Sequence, residues 1–80
     1  MDSSPTLAAY LLSLRERVRI TARRAAADAG LSRCFVYMVE QGTRAPGPES
    51  LDRLLTAYGA SPAERARANE LLAASPATAL

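Results

Sequence analysis

The sequence predicts an all-α fold of five short helices, and three observations carry that prediction. Apolar residues recur at spacings of three and four, as in Leu7, Tyr10, Leu11, Leu14 and Val18. Residues that start and stop helices fall at helix-length intervals: Thr21, Gly30, Ser32, Gly42, Gly59 and Ser61-Pro62. No segment shows the alternation of a strand or the glycine turn of a hairpin.

The first helix is expected over residues 6–18, with the Leu7-to-Val18 stripe facing the core. Thr21 can cap a second helix running to Ala29, rich in alanine and arginine, both good helix formers. Gly30 stands where a left-handed residue would end it. Ser32 caps a third helix to about Gln41, closed by Gly42. Residues 42–48 contain two prolines and two glycines and read as a loop. A fourth helix from about Pro48 to Tyr58 buries Leu51, Leu54 and Leu55, and Gly59 ends it. Ser61-Pro62 opens a fifth that reaches about Ala74. Residues 1–5 are expected to form a flexible arm and residues 75–80 a frayed tail, leaving 6–74 as the domain.

Eighty residues, about half of them hydrophobic, support one modest core. Cys34 is the single cysteine, so no intrachain disulfide can form. The absence of histidine removes the commonest general base and metal ligand. No catalytic residue, metal site or cofactor is therefore assigned, and the reading is not that of an enzyme. No apolar run approaches the ~18 residues of a membrane span. The start Met1-Asp2-Ser3-Ser4-Pro5 lacks the character of a signal peptide, so a cytoplasmic location is expected.

The formal net charge is only +2, but its distribution is uneven. Between Arg15 and Arg44 seven arginines face three acids, a local balance of +4; from Ala45 onward three arginines face four acids. A basic stretch of this kind suits a polyanion on one side of the molecule. A solvated surface of mixed charge is the alternative on charge alone.

Ala22 to Val39 holds the most informative spacing. Ala26 is small where two helices would cross closely, Gly30 supplies a positive φ, and Leu31 can plug the core below the turn. Val36 and Val39, six and nine residues after Gly30, share one face of the next helix. Together these describe a helix-turn-helix.

The run Ile20-Thr21-Ala22-Arg23-Arg24-Ala25-Ala26-Ala27-Asp28-Ala29-Gly30-Leu31-Ser32-Arg33, followed by Val36, Val39-Glu40-Gln41-Gly42, Arg44 and Pro46, resembles the phage repressor and Cro family, also called the xenobiotic-response-element family. The resemblance continues through Leu51 to Gly59 and covers about Leu7 to Leu72. It implies a five-helix, lambda-repressor-like domain whose third helix enters the DNA major groove. It further implies base contacts from Ser32, Arg33, Cys34, Tyr37 and Met38, and backbone contacts from Thr21, Arg23, Gln41, Thr43 and Arg44. Arg33 is the first candidate for base readout, because a guanidinium can pair with guanine O6 and N7. Phe35 is expected to pack beneath the third helix. Glu40, in this family reading, pairs with Arg15 in a structural ion pair between the first and third helices.

The implied function is that of a small bacterial or phage transcription regulator, a repressor binding double-stranded DNA at an inverted repeat as a homodimer. The fifth helix, through Leu71 and Leu72, is the candidate dimer interface. The sequence departs from the family where glutamine usually contacts DNA (here Ala22) and where glycine often precedes the second helix (here Arg19). Arg19 and Arg23 are open as alternative sources of positive charge toward the backbone. Cys34, Tyr37 and Met38 make the outer face of the third helix unusually apolar, and such groups can read thymine methyls. The competing class is a protein-interaction module: an antitoxin-like or anti-repressor partner, or one part of a larger regulator.

Overall fold

The computed structural model describes residues 6–74, and both the expected arm at 1–5 and the expected tail at 75–80 lie outside the described residues. Five helices follow in order: α1 (Leu7–Val18), α2 (Ala22–Ala29), α3 (Arg33–Gln41), α4 (Pro48–Ala57) and α5 (Pro62–Ala74). No strand occurs among the described residues, so the all-α fold is as the sequence predicts.

The helix starts follow from side-chain chemistry. Thr6, Thr21 and Ser32 adopt extended backbone conformations and accept hydrogen bonds from the N–H groups of Ala9, Arg24 and Phe35 at 3.0–3.1 Å. Each satisfies a donor that the helix itself leaves free. Ser61 and Glu64 cap α5 reciprocally: the Ser61 hydroxyl accepts from the Glu64 N–H, and the Glu64 carboxylate accepts from the Ser61 N–H. Gly30 ends α2 with φ 70°, and the Leu31 N–H reaches back to the Ala26 carbonyl at 2.9 Å.

Packing joins α2 to α3 and α4, and α1 to α3 and α5. Leu7, Leu11 and Leu14 from α1, Val36 and Val39 from α3, and Leu51, Leu54 and Leu55 from α4 fill the core. The buried side of α2 is alanine throughout: Ala22, Ala25, Ala26 and Ala29. Side chains this small let α2 lie close to its neighbours, which fixes the angle at which it presents α3. Leu31 packs against the core below the turn, as expected.

One apolar expectation needs correction. Val18 is 38% exposed rather than core-facing, because α1 ends on it and the chain turns away at Arg19. Ala22, which stands where the family usually carries a DNA-contacting glutamine, is buried and belongs to the core.

Candidate nucleic-acid interface

Helices α2 and α3, with the tight turn at Gly30–Ser32, form the helix-turn-helix. Val36 and Val39 seat α3 from below, so its opposite face is left to solvent. Ser32, Arg33, Cys34, Tyr37 and Met38 are all exposed there, as are Thr21, Arg23, Gln41, Thr43 and Arg44 around it. Tyr37 is 51% and Met38 40% exposed, an uncommon state for large apolar side chains.

Position on α3 and local bonding separate what these residues can do. Arg33 is the first residue of α3 and projects from its N-terminal turn. Thr21 and Ser32 use their oxygens as helix caps and keep their O–H groups free to donate outward. Thr43 differs: its hydroxyl and its N–H both donate to the Met38 carbonyl, at 3.1 and 3.0 Å. A phosphate contact from Thr43 therefore requires its hydroxyl to leave Met38. The Arg44 guanidinium lies over the Phe35 ring, 5.3 Å from its centre, and this cation–π contact holds the loop arginine against the first turn of α3. Phe35 itself is half-buried and packs on the core, as expected.

Behind this face, Glu40 locks the helices together. Its Oε2 accepts from Arg15 Nε at 2.7 Å and from the Tyr58 hydroxyl at 2.9 Å. Arg15 also donates through Nη1 to the Ile20 carbonyl at 2.9 Å, which ties the turn before α2 into the same network. Burial and the neighbouring Glu40 carboxylate raise the Tyr58 hydroxyl well above the ordinary tyrosine range. The Arg15–Glu40 pair joins α1 to α3, while the participation of Tyr58 was not legible in the sequence. Nothing in its spacing distinguishes Tyr58 from another core aromatic.

The arginines divide into two sets. Arg15, Arg17, Arg24, Arg53, Arg65 and Arg67 each pair with a carboxylate: Glu40, Glu64, Asp28, Glu49, Asp52 and Glu70 respectively. Arg19, Arg23, Arg33 and Arg44 have no carboxylate partner among the described residues. All four unpaired arginines lie on or beside the helix-turn-helix. Paired charges elsewhere largely cancel at a distance, so four free arginines against the one carboxylate without an ion pair among the described residues, Glu16, leave the positive excess on this segment.

Leu71 and Leu72 of α5 are half-buried against the chain's own core, which leaves less of them free for a second copy than the sequence led us to expect. No helix of the described residues is long and apolar enough to cross a membrane.

No curated protein and no solved structure matches the chain. The family model for the helix-turn-helix domain matches residues 6–68, which takes in α1 through the first half of α5. With the observed turn geometry and the local excess of unpaired arginine, this places the chain in the helix-turn-helix domain family, a family whose fold implies DNA binding.

Proposed function

We propose that this chain is a sequence-specific regulator of transcription that binds double-stranded DNA with α3 in the major groove. The observation that carries the proposal is the confinement of all four unpaired arginines to the helix-turn-helix and its flanking turns. Arg33, at the start of α3, reads a base edge, with Ser32, Cys34, Tyr37 and Met38 beside it. Exposed apolar groups on that face favour sites with thymine methyls. Arg23 and Thr21 at the start of α2, and Gln41, Thr43 and Arg44 after α3, position the domain on phosphates without specifying sequence.

Two copies on an inverted repeat would set their α3 helices one DNA turn apart, ~34 Å. Occupying a promoter in that way represses it. The remaining surface of Leu71 and Leu72 on α5 is the proposed contact between the copies.

Selection from random duplex DNA, followed by binding of single variants, tests the proposal. Arg33→Ala should relax the preference at one or two base positions, at a cost of ~1–3 kcal/mol on the selected site. Arg44→Ala should weaken selected and random DNA alike. No enrichment, or equal losses on all sequences for both variants, would contradict base reading by α3. Light scattering on the protein–operator complex decides between two copies and one.

A second reading has its own observation: Tyr37 at 51% and Met38 at 40% exposure make an apolar face that a protein could cover. Under that reading Tyr37→Ser and Met38→Ser abolish a protein complex, and the chain shows no salt-dependent binding to DNA.

A further inference from the structure

The turn between α1 and α2 carries an arginine where this chain otherwise uses glycine. Arg19, Gly30, Gly42 and Gly59 all have positive φ, at 59°, 70°, 79° and 67°. Each follows a helix, and each donates its N–H to the carbonyl three residues back: Glu16, Ala27, Val39 and Thr56, at 3.1–3.3 Å. At the three glycines the next N–H also reaches the carbonyl five residues back, Leu31 to Ala26, Thr43 to Met38 and Ala60 to Leu55, a second bond that the turn at Arg19 does without. Glycine adopts positive φ freely, whereas the Cβ of any other residue crowds the following carbonyl. Arg19 is the only non-glycine residue among those described with positive φ.

Nothing within the described residues compensates that strain through the side chain. Arg19 is exposed and has neither an ion pair nor a side-chain hydrogen bond there. Its backbone, by contrast, is fixed on both sides. The Arg19 N–H is bonded to Glu16, the Ile20 carbonyl is held by Arg15, and Thr21 caps α2. Arg15 is in turn held by the buried Glu40. An unpaired cation thus stands on a rigid root, two residues before the cap of α2 and four before the equally unpaired Arg23. A strained residue on an over-determined backbone is a recurring mark of a binding position. Backbone phosphate suits it, since a guanidinium pairs with phosphate oxygens in a fork.

We infer that Arg19 is a DNA-phosphate contact retained in a glycine position at the expense of stability. The inference deepens the DNA-binding reading above and rests on it. Stability and binding then move in opposite directions when Arg19 is replaced by glycine, which a merely solvated arginine would not cause.

The test uses the full chain, with thermal unfolding and salt-titrated anisotropy on a random-sequence duplex. R19G should raise Tm by ~2–6 °C, the strain relief being partly offset by glycine's greater freedom when unfolded. It should weaken binding about eightfold near ~0.1 M salt and reduce the slope of log K against log salt by ~0.9. R19K should keep the wild-type slope and the wild-type Tm. R67A, which removes an equal charge from α5, controls for net charge. R19G binding with the slope of R67A, or failing to gain stability, overturns the inference. If the wild type binds DNA and R19G binds equally well, only the role of Arg19 falls. If the wild type shows no salt-dependent binding, the DNA-binding reading falls with it.

Discussion

Replacing Glu40 by alanine is expected to remove a large share of this protein's stability, because one carboxylate oxygen serves three parts of the fold. The Glu40 side chain is 5% exposed and that of Arg15 18%. Tyr58 is fully buried, and Glu40 is the only partner of its hydroxyl among the described residues. Glu40→Ala strips both donors of their acceptor. Each charge-assisted bond is worth ~1.5–3 kcal/mol when a partner is left buried and unpaired. Arg15 keeps its bond to the Ile20 carbonyl and some water contact, so its loss belongs at the low end. The sum is ~3–4.5 kcal/mol, against a total stability of ~4–12 kcal/mol for a chain of this length. The corresponding fall in Tm is ~12–36 °C. Urea unfolding followed by far-UV circular dichroism measures it, with Glu40→Gln as the comparison. Glutamine keeps one acceptor oxygen and should lose about half as much. A Glu40→Ala protein within ~1 kcal/mol of wild type would refute the claim that this oxygen holds α1, α3 and the end of α4 together.

Two pH dependences follow from the same geometry. The Tyr58 hydroxyl titrates higher folded than unfolded, so its contribution is complete below the ordinary tyrosine value of ~10 and is lost as pH rises above it. Tyr58→Phe should therefore flatten the alkaline limb of a Tm–pH profile while lowering Tm at neutral pH; an unchanged alkaline limb would count against burial of the phenol. The Glu64 carboxyl is pulled down to about 2 by Arg17 first and by the Ser61 N–H second. A depressed carboxyl contributes above its unfolded value and loses that contribution as pH falls toward 2. The stability gap between wild type and Glu64→Gln should close between about pH 4 and pH 2; a gap constant with pH would show that the ion pair between Arg17 and Glu64 is not formed in solution.

Much of this fold could be read from the sequence because its punctuation is local. Thr21, Ser32 and Ser61 act through donors three residues away, and Gly30 and Gly42 act through their own backbone, so spacing alone locates the helix ends. The core faces of α2, α3 and α4 follow from periodicity for the same reason. What escaped the sequence is what depends on distant partners. Tyr58 meets Glu40 across 18 positions, and Arg17 meets Glu64 across 47. Val18 fits the helical stripe but sits on the last residue of α1, where the chain leaves the core. Leu71 and Leu72 suggested surplus apolar surface because the sequence does not show that α1 packs on α5. At the interface, the positions of the arginines were legible, but which of them are already neutralised was not. That division emerges only from six ion pairs, half of which span more than four residues.

The most direct measurement is therefore the salt dependence of DNA binding by the wild-type chain and by a variant lacking the four unpaired arginines. With Arg33 on a base edge, the three phosphate-neutralising arginines Arg19, Arg23 and Arg44 give a slope of log K against log salt of about −2.7 per chain, and removing them should bring it close to zero. A slope of about −3.6 would put Arg33 on a phosphate as well. A variant lacking the paired Arg24, Arg53, Arg65 and Arg67 should keep most of the wild-type slope. Equal losses in the two variants, or a wild-type chain that does not bind duplex DNA at low salt, would contradict the assignment of the interface to the helix-turn-helix.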